Sequence, residues 1–212
     1  MKRDIVCHCG NTMQRDLPDT IDLSEEPQFI QQILEGAFMQ VTCDSCGKIL
    51  KPEFPVHFLN LKIDDQLLDL DYIPELERNQ YFGDKIETNA QRVAIGYPEL
   101  REKMLLSAHD LDDRALEVLK FLLLENALDH NLSDHSFSEL SIILNTVEED
   151  TLSFYIYGLK KTEVAVPKVS LELYHKVVDG LSDRLNTDVY AEIVKPPYVS
   201  INKISIEAED DS

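Results

Sequence analysis

The chain has 212 residues, 40 acidic against 20 basic side chains, a formal net charge of −20 at pH 7, and the 43% hydrophobic content of an ordinary globular protein. That length can bury a real core in one large domain or two small ones. The acidic surplus runs along the whole chain with no basic stripe, which argues against a nucleic-acid binder, since such proteins neutralise phosphates with clustered Lys and Arg. No apolar run approaches the ~20 residues that span a bilayer, so no membrane segment is expected. The N-terminal MKRDIVCHC lacks the apolar stretch and cleavage site of a signal peptide, so a cytoplasmic protein is expected.

Residues 2–6 read as a strand leading into the turn Cys7-His8-Cys9-Gly10. TMQRDLPDTIDLS follows as extended chain, with Leu17-Pro18 set against helix. Ser24 is placed to cap a helix over EEPQFIQQILEG, whose inner face is Phe29, Ile30, Ile33 and Leu34 and whose end is Gly36. AFMQVT is a strand entering a second turn, Cys43-Asp44-Ser45-Cys46-Gly47. KILK, PVHFLNLKI and QLLDLDYI continue as strands, with Asp64-Asp65 as a hairpin turn between the last two. The helix thus reads as an insertion between two cysteine turns of one small antiparallel sheet.

These turns hold all four cysteines of the chain. A reducing cytoplasm disfavours disulfides, and two close pairs separated by a long insertion suit one tetrahedral thiolate site. A Cys-x-x-Cys-Gly turn aims two sulfurs at one point, lets backbone N–H groups donate to them, and reverses at the glycine. Zn²⁺ accepts four such ligands, and with no place left for water the site is structural. The expected ligands are Cys7, Cys9, Cys43 and Cys46. The first turn is one residue shorter than the second, and His8 is an alternative to one thiolate there. A Cys-x-x-Cys redox pair would need a helix after the motif, whereas GKILKPEFPVHF reads as strand.

Residues 75–91 are polar and mixed and read as a linker or loop. YPELREKMLLSA is a short helix with Pro98 near its start. DLDDRALEVLKFLLLENALD is the strongest helix signal, capped by Asp110 or Asp112, with Ala115, Leu116, Leu119, Leu122 and Leu123 inward and Phe121, Leu124 and Leu128 widening the apolar face. ELSIILNTV, TLSFYIYGL and TEVAVP alternate as strands. PKVSLELYHKVVDGLSDRL is helical, with Leu171, Tyr174, Val177 or Val178, Leu181 and Leu185 inward. DVYAEIVK and YVSINKISI read as two closing strands, followed by the acidic tail IEAEDDS.

Taken together, the two glycine-bearing cysteine turns, TIDLSEEPQFIQQILEG between them, the VTCDSCGKIL…PVHFLNLKIDDQLLDLDYIPE continuation and RVAIGYPELREKMLLSAHDLDDRALEVLK resemble the CpXC-domain family of bacterial and archaeal proteins over about residues 5–130. The resemblance implies metal ligands at Cys9, Cys43 and Cys46, with the fourth falling at Val6, one place before Cys7. The family's proline after the first cysteine of each turn is replaced by Cys7 and by Asp44. It implies a metal-bearing protein and no particular activity.

Other polar groups read more simply. His130 and His135 lie in DHNLSDH with Asp129 and Asp134, a capping loop rather than a second metal site. His57 lies on one side of a strand and could approach the metal behind its ligands; His109 and His175 read as surface residues. The paired acids of IDDQLLDLDYIPE lack a partnering nucleophile and base, and no glycine-rich phosphate loop is present. Asp112-Asp113-Arg114 opens the main helix as cap and favourable charge, with Arg114 as a candidate recognition edge. The fold class expected is α+β: a zinc-ribbon-like module over 1–74, a connecting loop and helical segment over 75–131, and a C-terminal α+β unit over 132–212. The function expected is a zinc-binding scaffold or adaptor meeting a protein partner, with an enzyme carrying structural zinc as the alternative and a nucleic-acid-binding ribbon behind it.

Overall fold

The computed structural model describes residues 1–131, 139–160 and 162–204, with backbone alone at 129–131. The fold is α+β, and its residues pack as two compact units: Met1–Lys62 with Gln66–Met104, and Ile63–Asp65 with the described residues from Leu105 on. The stretch 75–131 is shared between them.

In the first unit, β1 (Lys2–Val6) and β2 (Thr12–Asp16) pair antiparallel from Lys2↔Asp16 to Val6↔Thr12, which puts the first cysteine turn at the hairpin tip. The pleat buries Ile5, Cys7 and Met13 on one face and leaves Val6 69% exposed on the other. β3 (Thr20–Asp22) follows. α1 (Gln28–Leu34) starts later than expected, with Pro27 at its cap position. Ser24 does not cap it; its hydroxyl and N–H donate instead to Asp22. Of the expected inner face only Ile33 is fully buried. Gly36, at φ +71, ends the helix as expected, with its N–H on the Ile33 carbonyl.

Only two residues of AFMQVT form strand: β4 (Val41–Thr42), paired with β5 (Ile49–Leu50) around the second cysteine turn. β6 (Val56–Ile63) and β7 (Gln66–Ile73) turn at Asp64 and Asp65, whose φ values of +50 and +57 suit the tight hairpin expected there. They do not extend the cysteine ribbon. With β8 (Arg92–Ile95) they form a separate sheet of order β3-β6-β7-β8, in which β3 runs parallel to β6 and β8 parallel to β7. A parallel pair requires a crossover, and α1 with the β4–β5 hairpin supplies the one between β3 and β6. The second crossover is the stretch expected as a loop, which holds a 3₁₀ turn (Glu75–Glu77) and α2 (Arg78–Phe82). β8 was not foreseen; its four residues are all buried, so they show no alternation. α3 (Tyr97–His109) follows with Pro98 in its first turn.

In the second unit, α4 (Asp113–Asn131) is capped by Asp112, whose Oδ1 accepts the Arg114 N–H at 2.8 Å. Ala115, Leu116 and Leu119 are buried as expected, but Val118 and Leu124 complete the inner face while Leu122 and Leu123 stay half-buried. Arg114 grips Asp112 through two nitrogens and reaches Asp64 at 3.3 Å. α4 also buries an ion pair, Lys120 to Glu117 at 2.8 Å, and Glu117 accepts the Ile201 N–H at 2.9 Å.

The first two of the expected strands, β9 (Ser141–Glu148) and β10 (Thr151–Lys160), pair antiparallel as a hairpin. On the other edge of β10 lie β11 (Glu163–Ala165) and β12 (Lys168–Ser170), interrupted at Pro167, whose carbonyl still accepts the Phe154 N–H at 3.0 Å. KVS is therefore strand, and the helix expected there begins only at α5 (Leu171–Asp179), where the Ser170 hydroxyl caps Leu173 N–H. α6 (Leu181–Arg184) follows. The two closing strands are a correction. DVYAEIV is helix α7 (Asp188–Val194), and Tyr198–Ile204 contains no strand. Its β-branched residues suggest a strand, but Tyr190, Ile193 and Val194 recur at helical spacing; Ile193 and Val194 are buried and Tyr190 meets Phe121 edge-on at 5.5 Å. The tail IEAEDDS, Asp134 and His135 lie outside the described residues, as do the side chains of Asp129 and His130. No helix among the described residues is long and apolar enough to cross a membrane.

Asp112→Ala is expected to cost about 1–2 kcal/mol through the lost cap, and Asp112→Asn, which keeps an acceptor, less. Urea denaturation measures both, and equal losses would remove the capping account.

Candidate metal centre

The two cysteine turns repeat one pattern of backbone bonds at two lengths. In the first, Cys7 N–H reaches the Asn11 carbonyl at 2.8 Å and Gly10 N–H the Cys7 carbonyl at 2.9 Å. In the second, Cys43 N–H reaches Lys48 and Gly47 N–H reaches Cys43, both at 2.9 Å. Each bond of the first turn spans one residue fewer. Gly10 and Gly47 close the turns at φ +86 and +73, and no atom crowds the place of a Cβ at either. Backbone conformation, not space, demands glycine there.

The hairpins converge at their tips. Cys7 Sγ lies 3.6 Å from Cys46 Sγ, and Cys9 Sγ 3.8 Å from Cys43 Sγ, so each close pair joins the two turns. All four sulfurs fall within 4.8 Å of one another. A tetrahedron of sulfurs about an ion at ~2.3 Å has edges of roughly 3.8 Å, so the donor set fits a metal ion. Cys7 and Cys43 are buried, and Cys9 and Cys46 are exposed. The cluster is therefore closed on one side and open on the other.

Backbone N–H groups of Cys46 and Ser45 point at Cys43 and, against the effect of burial, hold its thiol down at about 6; the Cys7 thiol and the Asn11 amide at 3.7 Å assist. Cys7 goes the other way. The Cys9 N–H favours its thiolate, but burial and the three neighbouring sulfurs push it up to about 12. Without an ion, the arrangement thus favours the thiolate form of Cys43 and the thiol form of Cys7. An incoming cation favours the thiolate form of every ligand and expels that proton.

The apolar support is small: Ile5, Met13, Leu17 and Val41 with the two buried cysteines, and Leu50 and Phe54 half-buried against them. Arg15 ties the hairpins together from outside, donating to the Thr42 carbonyl at 3.4 Å and to the Asp44 carboxylate. Neither Asn11 nor Arg15 was singled out in the sequence; their roles depend on the approach of a hairpin distant in the chain. His8 is exposed and stands outside the four-sulfur group. Cys7, not position 6, faces the cluster. His57 is engaged elsewhere: its Nδ1 lies 2.6 Å from Asp71 Oδ1, and the other Asp71 oxygen accepts the Thr88 hydroxyl. His109 and His175 are exposed.

Fold and site together define an α+β protein with a four-cysteine cluster that can hold a metal ion. Residues 5–120, more than half of the chain, match the model of the CpXC protein family, and the chain belongs to that family. An uncharacterized protein of Treponema pallidum (strain Nichols) is 26% identical over 192 residues, covering 81% of this chain and 84% of its own length. No solved structure matches.

Proposed function

We propose that Cys7, Cys9, Cys43 and Cys46 bind one structural Zn²⁺, and that the protein is a non-enzymatic cytoplasmic scaffold or adaptor built on this ribbon. One observation carries the reading: four sulfurs from two turns already approach tetrahedral spacing. Four thiolates suit a borderline-soft d¹⁰ ion, fill its coordination, and leave no site for a reacting water. Uptake of Zn²⁺ also offsets the repulsion among the sulfurs. The small ribbon core makes the ion a folding element, because so few apolar residues do not hold two hairpins together unaided. Reduced cysteines fit the cytoplasm. The net charge of −20 favours a protein partner with a basic face over nucleic acid.

A second reading, an enzyme with structural zinc, draws on one different observation. Asp71, whose other oxygen accepts the Thr88 hydroxyl, holds the part-exposed His57 ring by its Nδ1, the arrangement that leaves Nε2 as the reactive nitrogen.

Metal analysis is expected to return one zinc per chain and four thiols protected from alkylation. Chelation is expected to abolish amide-exchange protection at Ile5 and Met13 while Phe58 and Leu70 keep theirs. A metal-free preparation, or an unchanged fold after all four cysteines become serine, would overturn the zinc reading; three protected thiols and an exchangeable water would shift it towards catalysis. The enzyme reading separately expects His57 to react with diethyl pyrocarbonate faster than the exposed His8, His109 and His175, and equal rates remove its support.

A further inference from the structure

The β1–β2 register sets Arg3 directly opposite Arg15. Like charges facing across an antiparallel pair repel. Arg15 answers this with the Asp44 carboxylate and the Thr42 carbonyl. Arg3 has no such answer: among the described residues its side chain makes no hydrogen bond and no ion pair. Its guanidinium carbon stands over the Phe54 ring, 5.0 Å from the centroid. Its Nε is buried without an acceptor, whereas its terminal nitrogens are not buried. The chain carries 40 acidic residues for 20 basic ones, so counter-charge is abundant, yet none is placed beside this arginine.

We propose that Arg3, braced on Phe54 and facing Arg15, is a binding site for an oxyanion, with a carboxylate of an acidic protein segment as the occupant and phosphate as the competing source of the same chemistry. A guanidinium is a planar fork of donors matched to two oxygens of one anion. Stacking on Phe54 fixes the plane of that fork in advance, so little freedom is lost on binding. The ligand meets the terminal N–H groups, since Nε is shut off. A bound anion also relieves the facing of two positive charges across β1 and β2. The chain's −20 charge opposes a phosphate dianion more strongly than a single carboxylate, which ranks the carboxylate first. The site needs the ribbon folded but uses none of the cysteines. Binding is therefore measured on full-length protein as purified, with the Ile5 and Met13 amides as a check that the ribbon is intact.

The test is a titration followed by the Arg3 side-chain N–H resonances, with sodium acetate and inorganic phosphate each run against sodium chloride at matched ionic strength. Saturable shifts with acetate are expected. Arg3→Gln is expected to weaken acetate binding, read at the Arg15 resonances, by about tenfold or more, the scale of one charge-assisted hydrogen bond; Arg3→Lys should restore part of it, and Phe54→Leu should weaken it while leaving the charge in place. Saturation by phosphate alone keeps the oxyanion site and changes its source. Linear shifts equal to those with chloride in the intact wild-type protein overturn the proposal whether or not any variant folds, and so does wild-type affinity in a folded Arg3→Gln. A missing metal with saturable acetate binding would count against the zinc reading and not against this one.

Discussion

Four sulfurs within 4.8 Å form an arrangement that thiolates by themselves resist. The protein meets that repulsion unevenly. It favours the thiolate form of Cys43 with N–H donors from its own turn and the thiol form of Cys7 between its neighbours. The cluster is thus poised for positive charge, and the small apolar core beneath it supplies little to hold the hairpins together otherwise. Asn11 and Arg15 extend the same logic, since each reaches from the first hairpin to a residue of the second cysteine turn.

The separation of the two turns along the chain follows from sheet topology. β3 and β6 are parallel, so the chain must cross over between them, and that crossover carries α1 and the β4–β5 hairpin with Cys43 and Cys46. The helix is part of a parallel connection in a mixed sheet rather than a decoration of the ribbon. The ribbon is correspondingly slight, two short hairpins whose inner faces meet beneath the sulfurs. In the other unit two later segments are tied to α4 by polar bonds as well as packing: Glu117 accepts the Ile201 N–H within the core, and Tyr174 of α5 both donates to the Asp112 carbonyl and accepts its N–H. Buried charge of this kind is tolerated where partners are close.

Elements with strong local signals were legible. Asp64-Asp65 marked its hairpin, Gly36 its helix end and Asp112 its cap, because each is decided by backbone preferences of a few adjacent residues. Elements with weak local signals were not. β8 is a short, fully buried run beside a parallel neighbour, so it lacks alternation. α7 is built from Val, Tyr and Ile, whose strand preference is overruled by packing of Tyr190 on Phe121. The early start expected for α1 failed because Asp22, already fixed at the end of β3, takes the Ser24 hydroxyl. The cysteine cluster was legible because its donors are scarce and paired, whereas the pairing of His57 with Asp71 needed two strands to meet.

Residue type and near-neighbour geometry were enough to mark the four cysteines as candidates for one cluster, the glycines that close their turns, and the α+β class. That Cys7 rather than position 6 faces the cluster follows from the assembled sheet, because strand pleat sends alternate side chains to opposite faces and the β1–β2 register sets which face is inner. Tertiary structure also decided which sulfur favours the thiolate form and which arginine lacks a counter-charge. Those depend on distances between segments far apart in the chain, and electrostatic energy depends on distance in space, not on position along the sequence.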